Sequence, residues 1–100
     1  MRRGSRFEVR GSRIYQFPAT KFVSNTHWRQ WRHLLSEVIE IGWALLRGDF
    51  QHAATETWDA RHSAETLHRI LEGKGVDVTM AREEVLSNNL ERGYYSDRPI

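Results

Sequence analysis

Apolar side chains in the middle of the chain recur at steps of three and four. Trp28, Trp31, Leu35, Val38, Gly42 and Leu45 form one such series, which predicts a helix over residues 27–47 whose core-facing stripe is that series. Ser24, Asn25 and Thr26 offer N-caps ahead of it, and Gly48 offers a stop. Ala53, Thr57, Ala60, Ala64, Leu67 and Leu71 form a second series, and with Asp49 as cap they predict a helix from 50 to about 72. Gly73-Lys74-Gly75 closes it. A third helix is expected from residue 77 or 79 to 91, with Gly93 in the left-handed conformation that commonly ends a helix. The final stretch, YYSDRPI, is expected to be extended. Ahead of the helices the pattern changes: RFEVRGSRIYQF alternates around Gly11-Ser12 with Phe7, Val9, Tyr15 and Phe17 apolar, which suggests a short hairpin over residues 6–17. Pro18 then opens a connector.

Two long helices joined by a short turn lie antiparallel, so the fold class is all-α: a helical hairpin plus a third helix. A chain of 100 residues buries only a modest core alone. Assembly into a four-helix-bundle-like oligomer, a homodimer or homotetramer, is therefore expected. With 39% hydrophobic and 28% charged residues and a mean hydropathy of -0.66, the chain has the composition of a water-soluble protein, and no apolar run has the length of a membrane span. The basic start lacks the apolar stretch of a secretion signal, so the expected location is cytoplasmic. The absence of cysteine excludes disulfides and thiolate metal sites.

The net charge of +2 is unevenly placed. Residues 1–24 carry +5 and the remainder -3, which divides the chain into a basic arm, 1–24, and a helical domain, 25–100. Such an arm can track nucleic-acid phosphates. Without an aromatic platform or base-reading motif beside it, a solvated tail is the preferred reading.

Candidate chemistry lies in the acids. Glu37 and Glu40 sit three apart on the first helix, Glu56 and Asp59 three apart on the second, a spacing that puts each pair on one helical face. Both pairs lie a comparable number of turns from the same bend, so all four carboxylates can meet at one level of the hairpin. Oxygen-only ligands of this kind suit magnesium, with manganese as the alternative. A solvated face is the competing reading, and it fits Glu37 and Glu40 better than Glu56. The first pair projects away from the tryptophan stripe, whereas Glu56 flanks the alanine stripe.

The segment LLSEVIEIGWALLRGDFQHAATETWDARHSAETLHRIL, with Glu37-x-x-Glu40 and Glu56-x-x-Asp59 separated by fifteen residues, resembles the signature of the MazG-like, all-alpha nucleotide pyrophosphohydrolase superfamily. The likeness extends through the Arg47-Gly48-Asp49 turn, the Gly75-Val76-Asp77-Val78 connector and the ending Asn89-x-x-Arg92-Gly93-Tyr94-Tyr95, about residues 30–95 in all. It implies that Glu37, Glu40, Glu56 and Asp59 hold magnesium and that water attacks the α phosphorus of a nucleoside triphosphate, giving the monophosphate and pyrophosphate. In that mechanism Asn89 and Arg92 are expected to contact phosphate or sugar, and Tyr94 or Tyr95 to close over the ligand. Where the family ending usually has a lysine this chain has Asn88, which shifts the expected phosphate contacts to Arg92 and Lys74. After Asp59 the family is usually apolar, and here Ala60-Arg61-His62-Ser63 is more polar, as suits a face that meets substrate or a partner.

Phosphoribosyl-ATP pyrophosphohydrolase is a related reading, weakened because no adjacent Glu-Glu pair stands at Glu37. The non-enzymatic alternative is a helical module that binds nucleic acid or protein, with the acids merely solvated. His52 and His62 lie near the acidic face, but no histidine spacing suits zinc. Trp28 and Trp31, at helical spacing, are expected in the core rather than against a nucleobase.

Overall fold

The computed structural model describes residues 14–96. A short 3-10 turn, Lys21–Ser24, leads into three helices: α1, His27–Leu46; α2, Phe50–Gly73; and α3, Val78–Glu91. No strand occurs among the described residues, and no helix there is long and apolar enough to cross a membrane.

Each helix starts on a side-chain cap. Thr26 accepts from the amide of Arg29 at 3.1 Å, Asp49 from that of His52 at 3.1 Å, and Asp77 from that of Met80 at 2.9 Å, each satisfying one of the four amides a helix start leaves free. Each ends on a glycine with positive φ. At the first turn the amide of Asp49 bonds Ala44 O at 2.9 Å and that of Gly48 bonds Leu45 O at 3.0 Å, a pair of bonds that requires the left-handed φ of 73° at Gly48. That turn reverses the chain and lays α2 antiparallel along α1.

The seam between them differs from the predicted one. The least exposed positions of α1 are His27, Gln30, Leu34, Glu37, Ile41 and Ala44, again at steps of three and four. Gln30 is 2% exposed and donates through Nε2 to Ser63 O on α2 at 3.0 Å. Opposite lie Ala53, Ala60, Ser63, Leu67 and Ile70. Ala53, Ala60 and Leu67 belong to the predicted α2 stripe, whereas Thr57 is exposed. The predicted α1 stripe faces outward. Trp28, Trp31, Leu35, Val38 and Leu45 are 68%, 44%, 40%, 49% and 51% exposed, so the expectation that the two tryptophans are core residues is overturned. Small side chains let two helix axes approach closely, and indoles at the same positions would hold them apart.

The N-terminal connector covers the other side of α2. Glu65 accepts from the amides of both Gln16 and Phe17, at 2.8 and 2.7 Å. Arg69 donates to Phe17 O at 2.9 Å, and Arg61 donates to Gln16 Oε1 at 2.8 Å. The Tyr15 hydroxyl donates to Glu72 at 2.7 Å. Phe17 stacks on the His62 ring, centroids 4.6 Å apart, and meets Trp58 edge-on at 6.0 Å. These α2 residues are three or four apart and so form one face, away from α1. Of the stretch after Asp59, Arg61 and His62 thus hold this chain's own strap, while Ala60 and Ser63 enter the seam. Of the hairpin expected over residues 6–17, the first half lies outside the described residues; the second, from Ile14, is irregular chain bound to α2. Burial and the bond to Glu72 raise the Tyr15 phenol well above its ordinary pKa.

Candidate functional site

The hairpin turn sets the register of the acids. Glu37 stands eleven residues before Gly48 and Asp59 eleven after it; Glu40 and Glu56 stand eight before and eight after. At 1.5 Å per residue these pairs lie at two levels, about 16 and about 12 Å along the hairpin from its turn.

At the outer level the two helices build a cleft of about 160 Å³. Gln30, His33 and Glu37 come from α1, Asp59, His62, Ser63 and Thr66 from α2, and Thr20 and Phe22 from the connector. Glu37 belongs to the α1–α2 seam, its side chain 16% exposed, and its Oε2 lies 3.6 Å from His33 Nε2. Its other oxygen, Oε1, is buried without a hydrogen-bond partner. A desolvated carboxylate oxygen without a partner carries a penalty of about 1–3 kcal/mol or more. A cation or water in the cleft would remove it.

At the inner level the acids are not gathered into that cleft. Glu40 is exposed, and Glu56 is half-buried on the α2 side of the seam. Among the described residues no three Asp, Glu or His side chains are grouped as a metal-binding set. The cleft offers two carboxylates, the part-buried Glu37 and the exposed Asp59; a magnesium ion usually keeps several waters and takes one or two carboxylates plus substrate phosphates.

The proposed phosphate and sugar contacts lie elsewhere in the chain. Lys74 caps α2 fifteen residues beyond Asp59, about 22 Å along the helix. Arg92 caps α3 and places its guanidinium 5.8 Å from the Tyr94 ring, while the amide of Tyr94 bonds Asn89 O at 3.0 Å. None of these four lines the carboxylate cleft. His62 does; His52, half-buried, does not.

Thr20, Phe22, Gln30, His33, Ser63 and Thr66 were not anticipated at the site. Gln30 and His33 carried a usable signal, lying seven and four residues before Glu37 and so on its face of α1. Thr20 and Phe22 carried none, because a connector's path over a helix has no period. No protein-family model, no curated protein and no solved structure matches the chain.

Proposed function

We propose that this chain is a magnesium-dependent nucleoside triphosphate pyrophosphohydrolase. The observation that carries the reading is Glu37: an acid on the buried seam of the hairpin, one oxygen unpartnered, sharing a cleft with Asp59 at the matching level of the facing helix. A purely solvated acid would stand on the open face of α1 rather than in the seam, with one oxygen shut off from water and from any partner. Magnesium bound there supplies charge neutralisation for the phosphates and a more acidic water. Glu37 and Asp59 would hold it, with Glu40 and Glu56 one turn nearer the bend. In the reaction a water oxygen bonds to the α phosphorus, and the bond from that phosphorus to the α–β bridging oxygen breaks. The electron pair leaves with pyrophosphate, and the water proton passes through a carboxylate to solvent. Phe22 and Thr20 shield the cleft.

The oligomer expected from the sequence fits the outward face of α1. At 100° per residue, Leu45, Val38, Trp31, Leu35, Trp28, Leu46 and Ile39 span an arc of about 120° free of Asp, Glu, Lys and Arg. Their exposed surface is on the order of 700 Å², close to the roughly 800 Å² each partner gives to a standard interface. The occupant proposed is a second copy, since an isologous contact brings a face against itself and a charge-free face meets no like charge.

The test is pyrophosphate release from a panel of ribo- and deoxyribonucleoside triphosphates with and without magnesium, for the wild type, Glu37→Gln and Glu56→Gln. The expected outcome is metal-dependent release that falls at least about 100-fold, or about 2.7 kcal/mol, in Glu37→Gln. Absence of release from every nucleotide, with the variants indistinguishable from wild type, would overturn the proposal in favour of a binding module.

A further inference from the structure

A second cavity adjoins the carboxylate cleft. It occupies about 510 Å³ between the 3-10 turn and the first two turns of α1, and Phe22, Gln30 and His33 line it on one side while also lining the cleft. Its remaining walls are Asn25, Arg29 and Arg32. One cavity is therefore acidic, its neighbour is basic, and three side chains separate them.

Both arginines are exposed along the start of α1, Arg29 in its first turn and Arg32 in its second. The first turn of a helix carries the positive end of its dipole and favours acids, yet α1 has no acid there and carries Arg29 instead. Among the described residues neither guanidinium has a carboxylate within ion-pair distance or a hydrogen-bond acceptor. Unpaired arginine forks are well suited to the non-bridging oxygens of phosphate. The volumes point the same way: about 160 Å³ falls short of the roughly 300–1,000 Å³ typical of small-molecule sites, and 510 Å³ lies within that range.

We propose that this basic cavity holds the β and γ phosphates of the substrate and, after cleavage, the pyrophosphate. Arg29 and Arg32 are the anion ligands, and Phe22, Gln30 and His33 form the threshold where the α phosphate meets the carboxylates. This assignment rests on the hydrolase reading, and it moves phosphate recognition from Lys74 and Arg92 to the start of α1.

Inorganic pyrophosphate is the probe, because its binding requires no turnover. Calorimetric titration with and without magnesium compares the wild type with the double variant Arg29→Gln, Arg32→Gln, and thermal melts of both are taken with and without the ligand. The double variant is expected to bind pyrophosphate at least tenfold more weakly and to lose the ligand-induced rise in Tm, while its own Tm stays close to the wild-type value because both side chains are exposed and neither makes an ion pair. With nucleotide, KM is expected to rise by more than kcat falls. The proposal is overturned if the wild type binds no pyrophosphate. It is equally overturned if the double variant binds as tightly as wild type, with any loss confined to Lys74→Gln and Arg92→Gln. Arginine-dependent pyrophosphate binding without hydrolysis of any nucleotide would sink the hydrolase reading and keep the anion site.

Discussion

The two long helices share one seam and treat their outer faces in opposite ways. On α2 the outer face is polar, and the chain covers it itself: Glu65, Arg69, Arg61 and Glu72 hold residues 15–17 through directed hydrogen bonds. On α1 the outer face is large and apolar, from Trp28 at 68% exposure to Leu46 at 79%, and no other described segment straps it. A polar face is served by a few bonds of correct geometry, which a single strap provides. An apolar face gains in proportion to the area removed from water, and a strap is too narrow for it. Among the described residues the hairpin is finished on one side only. Its buried apolar residues are few, Tyr15, Ala44, Ala53, Ile70 and Val78 among those described, which leaves much of the available hydrophobic stabilisation to the exposed side.

The largest expected effect comes from breaking the apolar side. Trp31→Glu would place a charge at the centre of the outward face and cost the association about 2–4 kcal/mol, as an aromatic hot spot does. The dissociation constant, read by sedimentation or light scattering, should rise at least about 30-fold with helix content retained. An unchanged molecular mass across a dilution series of wild type and variant would instead mean that this face has no second copy on it.

Next in size is the seam that the two helices share. Ala44 is fully buried, so Ala44→Leu should push the helices apart and lower the stability to urea by about 1–3 kcal/mol. Trp28→Leu, on the outer face, should leave the unfolding of the isolated protomer nearly unchanged. Equal costs at both positions would contradict the assignment of seam and outer face.

On the polar side the effects are smaller. Glu65→Ala removes the acceptor of two backbone amides and should cost about 1–2 kcal/mol, with faster hydrogen exchange at Gln16 and Phe17. If those amides stay protected, something other than Glu65 holds the strap.

Tyr15→Phe, which removes one hydrogen bond to Glu72, should cost about 1 kcal/mol. Its pH signature sharpens the test. Burial first, then the Glu72 bond, raise the phenol in the folded chain, so the protonated form is the one folding favours. That contribution is complete below the unfolded value of about 10 and is lost as pH climbs past it. Wild-type stability should therefore fall more steeply above pH 10 than that of Tyr15→Phe in parallel urea titrations, and equal slopes would remove Tyr15 from the strap's anchoring.

Helix positions were legible because capping and helix termination are local. Thr26, Asp49 and Asp77 cap the helices, and Gly48, Gly75 and Gly93 close them, each using groups within a few residues of itself. The acids were legible only in part: the expected single level for all four divides into two, Glu37 with Asp59 and Glu40 with Glu56, because in an antiparallel hairpin distance from the turn sets the register. Which face of α1 enters the seam was not legible. The series through Trp28 and the series through Gln30 both run at steps of three and four, and hydrophobicity favours the first. Close packing against Ala53, Ala60 and Ser63 favours the second.

The amino-acid order by itself therefore determined three helices, their ends and the antiparallel turn, all set by interactions within a few residues. Only the tertiary structure decided that Glu37 lies in the seam, that the tryptophans face outward, that the connector straps α2 and walls the cleft, and that Arg29 and Arg32 line the neighbouring cavity. Those outcomes depend on side-chain volume and on the path of irregular chain, and neither leaves a period in the sequence.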